Sequence, residues 1–116
     1  MHEYSIVQSL IDQVEIQATR AGAVGVHTLT VQIGESSGVD AGLLKTAFDT
    51  FREKTICAKA ELLIERVAVQ WECPKCGEPP KPNGPLRCST CEVPVKLTAG
   101  SEIILSRLEL EVADHV

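Results

Sequence analysis

Aromatic side chains are nearly missing from this chain, which has two Phe, one Tyr and one Trp in 116 residues. Its core must therefore rest on Leu, Ile, Val and Ala. A basic excess is missing too: 11 Lys and Arg stand against 16 Asp and Glu, a formal net charge of −5. That balance argues against a surface built to neutralise phosphates, the source of most nucleic-acid affinity. No run approaches the ~20 apolar residues of a membrane helix, so no membrane span is expected. The opening, from Met1 to Gln13, lacks the basic segment and long apolar stretch of a secretory signal. Together these absences predict a soluble cytoplasmic protein of one small globular unit. Histidine is scarce, with only His2, His27 and His115. Cysteine is the residue in surplus. Of Cys57, Cys73, Cys76, Cys88 and Cys91, four fall in two C-x-x-C pairs, which does not resemble a secreted disulfide framework.

The hydrophobic pattern divides the rest. Ile6, Val7, Leu10, Ile11, Val14 and Ala18 recur at helical steps and predict a helix from about Glu3 to Ala21, closed by Gly22. Leu29, Val31 and Ile33 alternate with Thr28, Thr30 and Gln32, the pattern of a half-buried strand. A loop, Gly34-Glu35-Ser36-Ser37-Gly38, follows. Asp40 is placed to cap a second helix over residues 41–54, whose apolar face is Leu44, Ala47, Phe48 and Phe51. Residues 60–72 read as one strand, but its phase slips, and a bulge near Glu65-Arg66 would reconcile the two halves. Residues 102–112 alternate again as a final strand. The expected fold is α+β: a small mixed β-sheet with two α-helices packed on one face, and a parallel pair joined through the second helix. A zinc-ribbon-like domain of four cysteines, residues 73–91, is inserted into the domain formed by residues 1–72 and 92–116.

That insert holds five of the six prolines and few large apolar residues, so it cannot build a core of its own. Its pattern is Cys73-Pro-Lys-Cys76 and then Cys88-Ser-Thr-Cys91. Two tight turns that each offer two thiolates can supply the four corners of a tetrahedral zinc site. Gly77 permits a positive φ just after the second ligand. The metal can then supply the folding energy the missing core does not. Four thiolates leave no open coordination position, so this zinc is expected to be structural. Trp71, two residues upstream, is expected to pack beside the site.

His2 gives the other end of the chain a chemistry of its own. A terminal amine, the next amide nitrogen and the imidazole of the second residue can chelate one metal through fused rings. Deprotonated amides favour square-planar Ni(II) or Cu(II). The first amides of a helix have no acceptor within it, so losing their protons breaks no ladder bond. On the residues alone this pattern is equally that of an ordinary solvated terminus.

The opening Met1-His2-Glu3-Tyr4-Ser5-Ile6-Val7-Gln8-Ser9-Leu10, the segment from Gly34 to Asp40, and the paired C-x-x-C together resemble the HypA/HybF family, along the whole chain. The resemblance implies a metallochaperone, not an enzyme, that delivers nickel to [NiFe]-hydrogenase and, in some organisms, to urease. Nickel would bind transiently at Met1, His2 and Glu3, with Asp40 a weaker candidate, and structural zinc at Cys73, Cys76, Cys88 and Cys91. The implied partners are a nickel-handling GTPase and the precursor of the hydrogenase large subunit, with no nucleic acid; a homodimer is left open.

The remaining candidates have plain readings. Asp40 is an N-cap, or a carboxylate near the first helix's start. His27 is structural or at the surface, His115 is solvated, and Cys57 is a buried free thiol. Two rivals are a zinc-ribbon nucleic-acid or protein-interaction module, which predicts salt-sensitive binding, and a dithiol oxidoreductase, which predicts a reversible C-x-x-C couple. No nucleophile–base pair suggests a hydrolase.

Overall fold

The computed structural model describes residues 2–112 and, of His2, the backbone alone. Met1 and His115 lie outside the described residues. Helix α1 spans His2–Ala21. It buries Val7, Leu10, Ile11, Val14 and Ala18, the stripe its spacing predicts. Gly22 ends it at φ 69°, with its N–H on the Thr19 carbonyl at 3.2 Å. Strand β1 runs Ala23–Gly34, longer at its start than the alternation indicates. Helix α2, Ala41–Phe51, is followed by turns and then by β2, Glu61–Val67.

β1 is the central strand. It pairs in parallel with β2, from Thr28 opposite Glu61 to Gly34 opposite Val67. On its other side it pairs antiparallel with the last strand of the chain, β5, Ile103–Val112. The sheet is therefore mixed, in the order β2-β1-β5. Two extra residues on β1, Val24 and His27, and one on β5, Ser106, interrupt the antiparallel ladder. The bulge at His27 explains why Val26 and Leu29 can both be buried although they differ in parity. His27 itself is exposed. The two helices cover one face, and between layers lie Val7, Leu10, Val14, Leu29, Val31, Leu44, Phe48 and Leu62. Cys57 joins this core and is fully buried.

The segment expected to be one bulged strand is two strands. β2 pairs with β1 through Val67 with no shift in register, so no bulge falls at Glu65-Arg66. The chain leaves the sheet at Ala68-Val69 and starts a new strand, β3, Gln70–Glu72. β3 pairs antiparallel with β4, Lys96–Ala99, placing Trp71 opposite Leu97. Alternation by two cannot distinguish a bulge from a change of sheet, and the phase slip marks the second.

The two connections between sheet and ribbon cross at the end of β1, where there is no room for a side chain. A Cβ on Gly34 would lie 2.2 Å from the Gly100 carbonyl carbon and oxygen. Gly100 has φ +93°, and a Cβ there would lie 2.6 Å from the Val69 Cα. Ser36 fastens the crossing, donating both its N–H and its hydroxyl to the Gly100 oxygen at 2.8 Å. The Glu35 N–H reaches the Val67 carbonyl at 2.9 Å. Beyond this junction the ribbon strands pack chiefly on each other. The molecule is elongated, 62 × 33 × 17 Å.

Candidate metal centres

The four-cysteine segment is built from two turns of the same design. In the first, the N–H groups of Lys75 and Cys76 donate to the Cys73 sulfur at 3.4 and 3.5 Å, and the Gly77 N–H donates to the Cys73 carbonyl at 2.9 Å. In the second, the Cys91 N–H donates to the Cys88 sulfur at 3.4 Å, and the Glu92 N–H donates to the Cys88 carbonyl at 2.9 Å. Each turn closes on a residue with positive φ: Gly77 at 77° and Glu92 at 56°. Glycine at the first turn is a legible signal. The second achieves the same geometry with a glutamate, whose strained backbone no residue type announces. The Arg87 guanidinium donates to the Glu92 carbonyl and ties the second turn to the preceding loop.

The four sulfurs lie within 4.8 Å of one another, and those of Cys76 and Cys88 are 3.6 Å apart. A tetrahedral ion with Zn–S bonds of about 2.3 Å needs sulfurs about 3.8 Å apart. The cluster fits such an ion. Cys73 and Cys88 are buried while Cys76 is exposed. N–H donation from Cys76 and then Lys75 favours the Cys73 thiolate and brings its pKa down to about 6. The crowded Cys76 and Cys73 sulfurs push Cys91 up to about 12. Such crowding of like groups is relieved when a cation binds among them and all four ionise.

Cys57 contrasts with all four. Burial, with a smaller contribution from Glu15, raises its thiol to about 11. Its backbone N–H is held by the Thr55 hydroxyl at 3.1 Å. It is an inert core residue.

At the other end of the chain, Glu3 is buried and lies in the first turn of α1. Its carboxylate accepts the Asp40 backbone N–H at 3.4 Å. Its own backbone N–H is the largest influence holding that carboxyl below the ordinary range, and the Asp40 N–H adds to it against the effect of burial. Asp40 has extended backbone and its side chain accepts the Leu43 N–H at 3.0 Å, so it is the N-cap of α2. The starts of the two helices are thus joined through a side chain of the first. Tyr4 meets Phe51 edge-on with ring centroids 5.2 Å apart, a second tie between them. Sequence reasoning misses the Glu3–Asp40 contact, because the residues are 37 positions apart.

One path connects the two ends of the molecule. Gly100 is bonded by Ser36, Ser37 accepts the Val39 N–H at 3.3 Å, and Asp40 bonds Glu3. The segment from Gly34 to Asp40, which looks in the sequence like a plain loop, holds the base of the ribbon at one end and the start of α1 at the other.

A family model described as hydrogenase/urease nickel incorporation, metallochaperone, HypA matches residues 1–110. Two curated proteins called hydrogenase maturation factor HypA are similar over nearly their whole length. That of Wolinella succinogenes is 38% identical over 118 residues, covering 99% of each chain. That of Aquifex aeolicus is 40% identical over 114 residues, covering 97% of this chain and 99% of the relative. The solution structure of the Ni metallochaperone HypA from Helicobacter pylori matches with a TM-score of 0.76 and 36% identity, over 96% of this chain and 98% of that one. Another HypA solution structure gives 0.81 and 38%, over 97% and 98%. These relatives are maturation factors rather than catalysts. No helix among the described residues is long and apolar enough to cross a membrane. The match from end to end shows that this chain belongs to the HypA family, the nickel metallochaperones of hydrogenase maturation.

Proposed function

We propose that the chain carries Ni(II) at its amino terminus and releases it to the [NiFe]-hydrogenase large-subunit precursor, with a nickel-handling GTPase as co-worker. Urease is a second acceptor of the same kind. The donors are the Met1 amine, the amide and imidazole of His2, and the Glu3 amide. The observation that carries this reading is the Glu3–Asp40 bond beside them. It fixes the first turn of α1 against α2 and sets a buried carboxylate next to the proposed site. A fixed anion offsets the unfavourable meeting of a cation with the positive end of a helix. The first amides of α1 have no helical acceptor, so they can turn to a metal without unwinding it. Asp40 is the weaker candidate for a fourth donor, since its carboxylate already caps α2.

The second part of the proposal is a structural Zn(II) held by Cys73, Cys76, Cys88 and Cys91, in a unit covering residues 73–91. With no open position it does not polarise a substrate, and its role is to order the arm. Reprotonating an amide, or drawing α1 away from α2, would release nickel and leave the core intact. We place this exchange in the cytoplasm.

Calorimetric Ni(II) titration of zinc-loaded protein with its native terminus tests the reading, beside His2→Ala and a form with one extra residue before Met1. Native protein should bind one nickel per chain, and both altered forms should lose that site. Equal binding by all three would overturn the amino-terminal assignment.

A further inference from the structure

Among the described residues, both outer strands of the three-stranded sheet have one unpaired edge, and β5 is the longer of the two, at ten residues. Such edges are usually blunted by bulges or covered, because they template pairing with another chain. β5 is bulged once, at Ser106, and then runs without interruption from Arg107 to Val112, since the other extra residues lie on β1. Along that run Leu108 and Leu110 turn to the helices and pack on the core. Arg107, Glu109 and Glu111 lie on the opposite face and are exposed.

Beside this edge is a groove of about 440 Å³ between α1 and β5, whose lining includes Ile16, Gln17, Ala21, Leu105, Leu108 and Leu110. Ile16 is 53% exposed on its rim. An apolar trough next to open backbone donors and acceptors suits an extended segment better than a compact ligand.

The charges on the edge choose which segment. In a two-fold antiparallel pair, directly opposed residues share a face. If two copies of β5 pair about Leu108, Arg107 of each lies opposite Glu109 of the other. Centring on Glu109 sets that residue against itself, and centring on Leu110 opposes Glu109 and Glu111 twice. Centring on Arg107 or on Glu111 opposes like charges again. Among these registers only the one about Leu108 gives attraction without repulsion. It also brings Leu108 of both copies together on the helix side, where the groove and Ile16 would be covered. Glu109 already accepts the Thr28 hydroxyl at 2.7 Å, and a carboxylate can accept at its second oxygen as well.

We propose that the free edge of β5 is a self-docking surface on which a second copy of this chain adds its own β5, centred on Leu108, to make one continuous six-stranded sheet. This goes beyond the nickel proposal and does not depend on it. The paired stretch is short, so the dimer should form by mass action at raised protein concentration.

Sedimentation equilibrium of the full zinc-loaded chain, from micromolar to millimolar and without free metal, tests it. The native chain should show a monomer–dimer equilibrium. Arg107→Glu and Glu109→Arg should each weaken it by about tenfold or more, since each replaces two attractive cross-strand pairs by two repulsive ones. The double variant Arg107→Glu/Glu109→Arg should restore it. Circular dichroism of each variant confirms that the fold is kept. A monomer at every concentration, a dimer indifferent to both reversals, or failure of the double variant to recover would each overturn the proposal. The last result would leave the edge to a strand from a different protein.

Discussion

The α/β body and the cysteine arm keep their shapes by opposite means. In the body a cluster of fourteen buried residues, among those described, joins two helices to a mixed sheet. In the arm, from Cys73 to Val95, the only buried apolar residues among those described are Cys73, Cys88 and Val95. Burial drives the first, at roughly 25 cal/mol per Å² of apolar surface. The second has almost nothing to bury, and its four sulfurs converge where an ion would replace the core. A chaperone gains from this division. The carrier end can loosen around its cargo while the arm stays fixed, and the arm can be fixed without adding apolar surface that would have to be covered.

The largest effect should come from taking the metal from the arm. Chelating zinc, or Cys88→Ser, removes a contribution on the order of 10–16 kcal/mol in small zinc peptides. Hydrogen exchange should then show residues 73–95 losing protection while α1 and β1 keep theirs. Loss of protection throughout would mean the two regions are not independently held.

Next is the converse experiment. Phe48 is 1% exposed at the centre of the body, and Phe48→Ala should cost about 3–5 kcal/mol by leaving a cavity. With cobalt substituted for zinc, the thiolate absorption should persist through the body's unfolding transition in denaturant. Simultaneous loss of both signals would join what the comparison separates.

A smaller effect is expected where the regions meet. Gly100→Ala places a side chain at φ +93°, 2.6 Å from the Val69 Cα. Backbone strain of this kind costs roughly 1–3 kcal/mol, and the displaced carbonyl would loosen the Ser36 bonds. The melting temperature should fall, and small-angle scattering should report a changed length. An unaltered profile would mean that the junction does not set the arm's direction.

How much of this is legible in the sequence follows from the range of each interaction. The α1 stripe, the Asp40 cap and the four-cysteine site are local patterns, visible within a few residues. The end of β2 at Val67 is not visible, because the partner of β3 is β4, about 25 residues on. Gly34 and Gly100 are ordinary glycines until the fold brings them together. The Glu3–Asp40 bond depends on how two helices dock, which periodicity does not encode. For nickel, the sequence offers a pattern and a family, and the fold adds the setting of the Glu3 carboxylate.

The smallest expected effect separates the fifth cysteine from the other four. Cys57 is fully buried with its thiol raised to about 11. The neutral form therefore prevails through physiological pH, and its thiolate would grow only as pH rises toward that value. In folded, zinc-loaded protein iodoacetamide should leave Cys57 unmodified. After chelation, labelling should appear at Cys73 first, whose thiolate forms near pH 6. Early labelling of Cys57 would place it in an open, mobile segment.

Two metals in two unlike settings within one chain are the central claim. X-ray absorption at the zinc and nickel edges of a single doubly loaded sample tests it most directly. The expected result is zinc surrounded by four sulfurs at about 2.3 Å, and nickel in a planar field of nitrogen and oxygen with no sulfur. Sulfur bound to nickel, or zinc that has exchanged sulfur for lighter donors once nickel is added, would contradict it.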